Sequence, residues 1–202
     1  MNICQQNLAI LPYLFQTYVF VKPSFQCHNR NKNIKLMDIV FWLWLLNAPQ
    51  LGARTFYTAL KVFETPEAVF GTDILTLKQN GLFHKKTLLY LGQKDLGVVK
   101  KDLDWTKVNH CHIINLIDPC CPQSLAQISD PPPLLYVMVD IGVLNKPQLG
   151  MVGSRNPTQG GRIISKELAQ GLSRSGLVVT SGMATGIDGE AHIGARYARH
   201  TE

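Results

Sequence analysis

The sequence predicts an α/β protein in which a parallel sheet is preceded by a small all-helical domain. Three observations carry this. Apolar residues recur at helical spacing from Met37 to about Thr106, with caps and breakers between the runs. From His110 onward short strand-like runs replace them. Two of these runs end in similar glycine turns, "GMVGSRNPTQGG" at 150–161 and "LVVTSGMATGID" at 177–188, and each turn leads into helical sequence.

Composition fits an ordered globular chain of one large domain or two small ones: 202 residues, 46% hydrophobic and 17% charged. The formal net charge is +6. Residues 1–36 hold four of the 20 basic residues (Lys22, Arg30, Lys32, Lys35) and no acid, leaving 16 basic against 14 acidic elsewhere. Bulk charge therefore does not name a partner. The five cysteines, Cys4, Cys27, Cys111, Cys120 and Cys121, form no regular disulfide framework, which points to a reducing compartment. "HCHIINLIDPCC" (110–121) mixes His with Cys but lacks CxxC or HxxxH spacing, so no metal site is assigned. It reads as an alternating strand, with Cys111, Ile113 and Asn115 opposite His112, Ile114 and Leu116.

The apolar run "LAILPYLFQTYVFV" (8–21) is shorter than the roughly 20 residues a spanning helix needs. It also lacks the preceding positive charge of a signal peptide. Residues 1–36 are expected to be an N-terminal extension, disordered or not native, with Met37 as the natural start. Asp38 is the expected N-cap of a first helix, "IVFWLWLL". "NAPQLG" (47–52) is a turn, either an ordinary helix–helix connection or the phosphate-holding turn of a helix-hairpin-helix. Phe56, Leu60 and Phe63 mark the next helix, and Thr65-Pro66 starts another. Further helices are expected around Asp73–Gln79 and Lys85–Leu91. The helical domain is thus placed at 37–106.

In the α/β part, 107–202, strands are expected at Cys111–Ile117, Leu134–Val139, Gly150–Val152 and Leu177–Thr180, with "DPPP" (130–133) as a stiff lead-in. Gln159 to Ser175 reads as a helix whose apolar face is Ile163, Ile164, Leu168 and Leu172, ended by Gly176. Strand, helix and strand make a βαβ unit, hence a parallel pair.

Ligands of parallel sheets sit beyond the carboxyl ends of the strands, and both glycine turns lie there. Each feeds a helix N-terminus, whose free N–H groups and dipole attract an anion. Gly153, Gly182 and Gly186 would let backbone approach a ligand; Ser154, Thr180, Ser181 and Thr185 add hydroxyls, and Arg155 adds a fork for phosphate oxygens. The implied site is a phosphate-binding edge. No GxxxxGK[ST] loop and no GxGxxG fingerprint occurs. Asp188 reads as the N-cap of a helix from Gly189, and His192 as a locally bonded or packed residue, with direct ligand contact as the alternative for each. Ser181 has no evident general base and is not in a GxSxG elbow, so no catalytic set is assigned.

The joint pattern VGSR followed by SGxAxGIDxxAH, within "GMVGSRNPTQGGRIISKELAQGLSRSGLVVTSGMATGIDGEAHIGA", resembles the DNA-processing DprA (Smf) family. "LAQISDPPPLLYV" resembles that family's entry to its sheet, and "FWLWLLNAPQLGARTFYTALKVFETPEAVF" its SAM-like N-terminal domain. The resemblance covers Met37 to about Ala195. It implies a Rossmann-like sheet behind a SAM-like domain, and single-stranded DNA bound without a cofactor. It also implies loading of RecA and protection of incoming strands in natural transformation, a homodimer, a cytoplasmic location and no membrane. The DNA phosphate-binding positions carry over to Gly153, Ser154 and Arg155, and to Ser181, Gly182, Ala184, Gly186 and Ile187. That agrees with the physical reading, because sequence-tolerant binding rests on phosphate contacts.

The sequence departs from the family where Cys121-Pro122 replaces Tyr-Pro and Val139 stands for a Gly. After Ala195 the family's sheet continues, whereas "RYARHTE" does not follow its pattern. The chain is accordingly read as a C-terminally truncated member with an incomplete DNA-binding domain, its homodimer interface missing, and with Val178 and Val179 near an uncovered edge. Two other readings are open. One is a Rossmann-like nucleotide-cleaving hydrolase of the lysine-decarboxylase-like type, whose PGGxGTxxE pattern is absent here. The other is an interaction module or a non-functional fragment.

Overall fold

The computed structural model describes residues 36–198, apart from 109 and 139. The expected N-terminal extension lies, except for Leu36, outside the described residues. So do Val139 and the end of "RYARHTE".

Among the described residues six α-helices come first: α1 (Leu36–Leu46), α2 (Ala53–Phe63), α3 (Pro66–Gly71), α4 (Ile74–Gln79), α5 (Lys85–Gln93) and α6 (Lys100–Thr106). α1 begins two residues before Asp38, which therefore sits in its first turn and not at its cap. Every residue from Val40 to Leu45 is buried, so α1 is wrapped by its neighbours and carries no polar face there. Trp44 is fully buried, edge-on to Phe70 with ring centroids 5.0 Å apart, and its carbonyl accepts the Tyr90 hydroxyl at 2.8 Å. Phe56 of α2 is also fully buried, against Trp42. Side chains of this size contribute about 1.5–3 kcal/mol each on burial.

The predicted starts and stops follow from local chemistry. Thr65 accepts the Ala68 amide at 3.1 Å with Pro66 as first helical residue, and Asp73 accepts the amides of Leu75 and Thr76. In the turn before α2, Gln50 takes positive φ, and the Pro49 carbonyl accepts the Thr87 hydroxyl at 2.7 Å. That bond ties the turn to α5.

The α/β part contains β1 (Cys111–Asn115), α7 (Gln123–Ala126), β2 (Leu134–Met138), β3 (Gln148–Gly150), α8 (Gln159–Arg174), β4 (Val178–Thr180) and α9 (Ile187–Tyr197). β3 and β4 are parallel, as the βαβ pattern requires, with Gly150 opposite Thr180. The first two strands differ from the expected parallel arrangement. β1 and β2 form a separate antiparallel pair with Asn115 opposite Leu134. Only the single turn of α7 lies between them, and a parallel pair would need a crossover across the sheet.

Strand boundaries also move. β1 stops at Asn115 and leaves Ile117 exposed. β3 runs Gln148–Gly150 instead of Gly150–Val152, although the Met151 amide still reaches the Thr180 carbonyl at 2.9 Å. Leu177 is not in β4, because its amide is taken by the Leu172 carbonyl at the end of α8.

The β1–β2 pair lies between two cores. Ile113 and Leu134 join the helical core, whereas Ile114 and Val137 pack with Cys120, Cys121, Ile141, Val143, Leu144 and Val178. A third cluster, Met151, Ala169, Val179 and Ala191, lies under α8 and α9. The two valines of β4 therefore enter different cores and both are buried, although β4 pairs only with β3 among the described residues.

Small residues set the α8–α9 contact. α8 buries Ser165 and Ala169, and α9 buries Ala191 and Gly194. A Cβ on Gly194 would strike the Lys166 backbone, lying 2.8 Å from its carbonyl carbon. This contact overturns the expected apolar face of α8: Ile163, Ile164 and Leu168 are exposed, and only Leu172 packs inward. Gly176 takes φ +84° just past the helix, as expected of its terminator.

Candidate nucleic-acid interface

The two glycine turns meet each other. The Ile187 amide donates to the Ser154 carbonyl at 3.1 Å, and the Gly153 amide donates to Asp188 Oδ1 at 3.3 Å. A Cβ on Gly153 would lie 2.8 Å from three carbons of Ile187. Gly186 sits at φ +91°, and a Cβ there would lie 2.7 Å from the Arg155 carbonyl oxygen. These glycines were expected to clear space for a ligand. They instead clear space for the opposite turn.

Two predicted positions have contacts within the pair of turns. The Ile187 amide, first in α9, is already consumed by Ser154, and Gly186 is buried under the first turn. Gly182 and Ala184 line the second turn, with Gly182 exposed and Ala184 half-buried. A Cβ on Gly182 would meet Asp188 Oδ2 at 3.1 Å. Asp188 is not the N-cap of α9; Gly186 holds that place, and Asp188 is a buried residue of the first turn that straps the two loops. No signal in the sequence distinguished a strap from a cap, because both use a carboxylate at a helix start.

The hydroxyls divide by role. Ser154 Oγ accepts the Asn156 amide at 3.1 Å, which orders the first turn. Thr180 donates to Gln148 Oε1 at 2.5 Å, a pairing across β3 and β4 that directs it away from the turn. Ser181 is buried, and its Oγ has no partner among the described residues. His192 lies with Nε2 3.4 Å from the Ser181 carbonyl oxygen.

The N-terminal ends of α8 and α9 are side by side. Ser165 Oγ donates to the Ile187 carbonyl at 3.1 Å, and Arg162 pairs with Glu190 at 3.4 Å. Thr158 caps α8 by accepting the Gly161 amide at 3.1 Å. Arg155 stands at this junction, exposed, and its guanidinium has no acceptor among the described residues. Two helix dipoles and one unpaired guanidinium thus present positive charge to solvent at one place. Asp188 and Glu190 offset part of it, but each is already engaged.

A family described as DNA recombination-mediator protein A matches residues 112–201. Protein Smf of Escherichia coli is 30% identical over 160 residues, covering 79% of this chain and 42% of that protein. Residues 112–201 thus carry the match to this family, and the chain is similar to DprA and Smf proteins. The DNA processing protein DprA of Bacillus subtilis is 39% identical over 79 residues, covering 39% of this chain and 27% of that protein. The crystal structure of DNA processing protein A from Streptococcus pneumoniae superposes with a TM-score of 0.51 at 20% identity, over 79% of this chain and 54% of that one. This likeness places the fold, a helical region followed by α/β, with DprA. The chain spans about two fifths or less of the length of these family proteins that it matches by sequence. No described helix is long and apolar enough to cross a membrane.

Proposed function

We propose that this chain binds the phosphate backbone of single-stranded DNA at the paired turns and carries out no chemistry on it. The observation that carries the reading is Arg155, exposed and unpaired where the N-termini of α8 and α9 converge. Gly153, Ser154, Ser181, Gly182, Ala184, Gly186 and Ile187 build and hold that edge. Such a site recognises charge and not base identity, which suits a protein that must accept any strand. Among the described residues the Ser181 hydroxyl has no hydrogen-bond partner, and His192 faces the Ser181 carbonyl. In keeping with the family, the proposal extends to protection of incoming DNA and loading of RecA during natural transformation, in the cytoplasm.

The test is Arg155→Ala. Binding should weaken alike for oligonucleotides of different sequence, and the salt dependence should lose about 0.7 from its slope. Thermal stability should stay within about 0.5 kcal/mol of wild type, because the side chain is exposed and unpaired. Unchanged binding and slope would remove Arg155 from the interface. Turnover of a nucleoside monophosphate would favour the hydrolase reading instead.

A further inference from the structure

The second half of the helical region carries an uneven charge. Between residues 38 and 73 there are four acidic and two basic residues. Between 74 and 107 there are seven lysines and three aspartates, and every one of those lysines is exposed. The three aspartates are all engaged. Asp95 accepts the Gly97 amide at 2.7 Å, Asp102 is buried against the Tyr136 hydroxyl at 3.0 Å, and Asp104 holds Lys107 at 2.6 Å. Lys78, Lys85, Lys86 and Lys101 form no ion pair among the described residues, and Lys100 has only a weaker attraction to Asp104, which already holds Lys107. Lys94 has only the face of Phe70, 5.6 Å away.

We propose that this lysine surface, on α4 to α6, is a second contact for the DNA phosphate backbone, separate from the glycine turns. The proposal rests on the single-strand reading above for the identity of the ligand. Its physics is independent of it. α5 carries Lys85 at its start and Lys94 just past its end, roughly 14 Å apart along the axis. Lys86 lies between them, and these three charges stand within one or two screening lengths of about 8–10 Å, so their fields add. Uncompensated cations at that density release counterions from a polyanion and bind it with strong salt dependence.

The surface chemistry also says what is read. Stacking of bases needs exposed aromatic rings. In this stretch Phe83 is buried and Tyr90 and Trp105 are half-buried, with the Tyr90 hydroxyl turned to the Trp44 carbonyl. The contact is therefore with phosphates, and it extends the footprint without adding base preference.

The experiment uses the full chain and two homopolymeric single strands, about 6 and about 30 nucleotides long. In the quadruple variant Lys85→Gln, Lys86→Gln, Lys100→Gln, Lys101→Gln, binding of the long strand should weaken and its salt slope should fall by up to about 0.7 per lysine removed. Binding of the short strand should change much less. The same four positions as Arg should restore the long-strand slope, which excludes a folding defect. An unchanged long-strand slope overturns the proposal. Arg155→Ala separates the two sites: loss on that variant with none on the lysine variant sinks only the lysine surface, and the reverse sinks only the turn. Wild-type protein that binds neither strand overturns both. Lysine-dependent binding to phosphatidylserine vesicles, with no effect on DNA, assigns the surface to a membrane and overturns the proposal.

Discussion

Ile187 fills the volume that a side chain on Gly153 would need, with 2.8 Å between a Cβ on Gly153 and the Cβ of Ile187. Real carbon atoms do not approach so closely, so one turn must move if Gly153 gains a methyl group. Gly153→Ala should cost about 1–3 kcal/mol, the usual penalty for overpacking. Ile187→Ala alone should also destabilise, by leaving a gap. Because two of the three contacting carbons are then gone, the double variant should cost less than the two together by about 0.5 kcal/mol or more. Urea unfolding of the four proteins measures this; strict additivity would mean that the two turns do not press on each other.

Gly186 should be less tolerant still. It combines φ +91° with backbone carbonyls of Ser154 and Arg155 where its Cβ would be. Carbonyls of an ordered turn cannot rotate away as a side chain can, and the left-handed region adds strain of its own. Gly186→Ala should cost about 3 kcal/mol or more. Gly160→Ala is the contrasting case, since nothing lies within 4 Å and φ is ordinary. In the first turn of α8 it should stabilise by about 0.4–1 kcal/mol. Melting curves that place Gly186→Ala at or above Gly160→Ala would refute this ranking.

What was legible in the sequence was whatever local chemistry decides. Thr65-Pro66, Asp73 and Gly176 set their helix boundaries by bonds to residues within four positions, and each lies where the pattern placed it. The parallel β3–β4 pair followed from the length of its crossover. Relations across the chain were not legible. Ile163, Ile164 and Leu168 form a good apolar stripe, but α8 meets α9 through Ser165 and Ala169, because Gly194 lets the two backbones close on the small residues. Periodicity cannot see that choice. Gly153 and Gly186 were correctly marked as spatially necessary, yet what occupies the space is the partner turn, 30 or so residues distant. The antiparallel pairing of β1 and β2 depends on how residues 116–133 return, and Asp130 to Pro133 fix local stiffness without fixing direction.

Asp188 couples the turns through one hydrogen bond to the Gly153 amide, 3.3 Å long. Asp188→Ala removes the strap and should lower stability by about 1 kcal/mol, since the freed amide belongs to an exposed residue and can bind water. Asp188→Asn keeps an acceptor and removes a negative charge beside the proposed phosphate site. It should be close to wild type in stability and should bind single-stranded DNA more tightly at low salt, with the gain fading as salt rises. Weaker binding by the Asn variant, with its fold intact, would show that the carboxylate orders the interface instead of merely opposing the ligand's charge.

The helical region is joined to β2 by Asp102 and Tyr136, whose hydroxyl donates to Asp102 Oδ1 at 3.0 Å. Burial raises the Asp102 carboxyl above its ordinary range, and the Tyr136 hydroxyl and the Asn47 side chain pull it back only in part. The folded state therefore holds the Asp102 proton more tightly than the unfolded chain does. Its contribution to stability is fully present below the unfolded value of about 3.9 and is lost as pH rises through the higher folded value. Asp73 and Asp104 oppose this trend. Both are lowered, the first by its bonds to Thr76 and the second by Lys107, so their contributions fade as pH falls. The Asp102 effect must then be read as a difference between variants. Asp102→Asn should be more stable than wild type at pH 7, and the gap should narrow as pH approaches about 4. Tyr136→Phe should destabilise, and more so at pH 7 than near pH 4, because it leaves the charged oxygen without its donor. Chemical unfolding of the three proteins at both pH values decides it: a gap between wild type and Asp102→Asn that does not narrow on acidification would show that the carboxyl is not held protonated by burial.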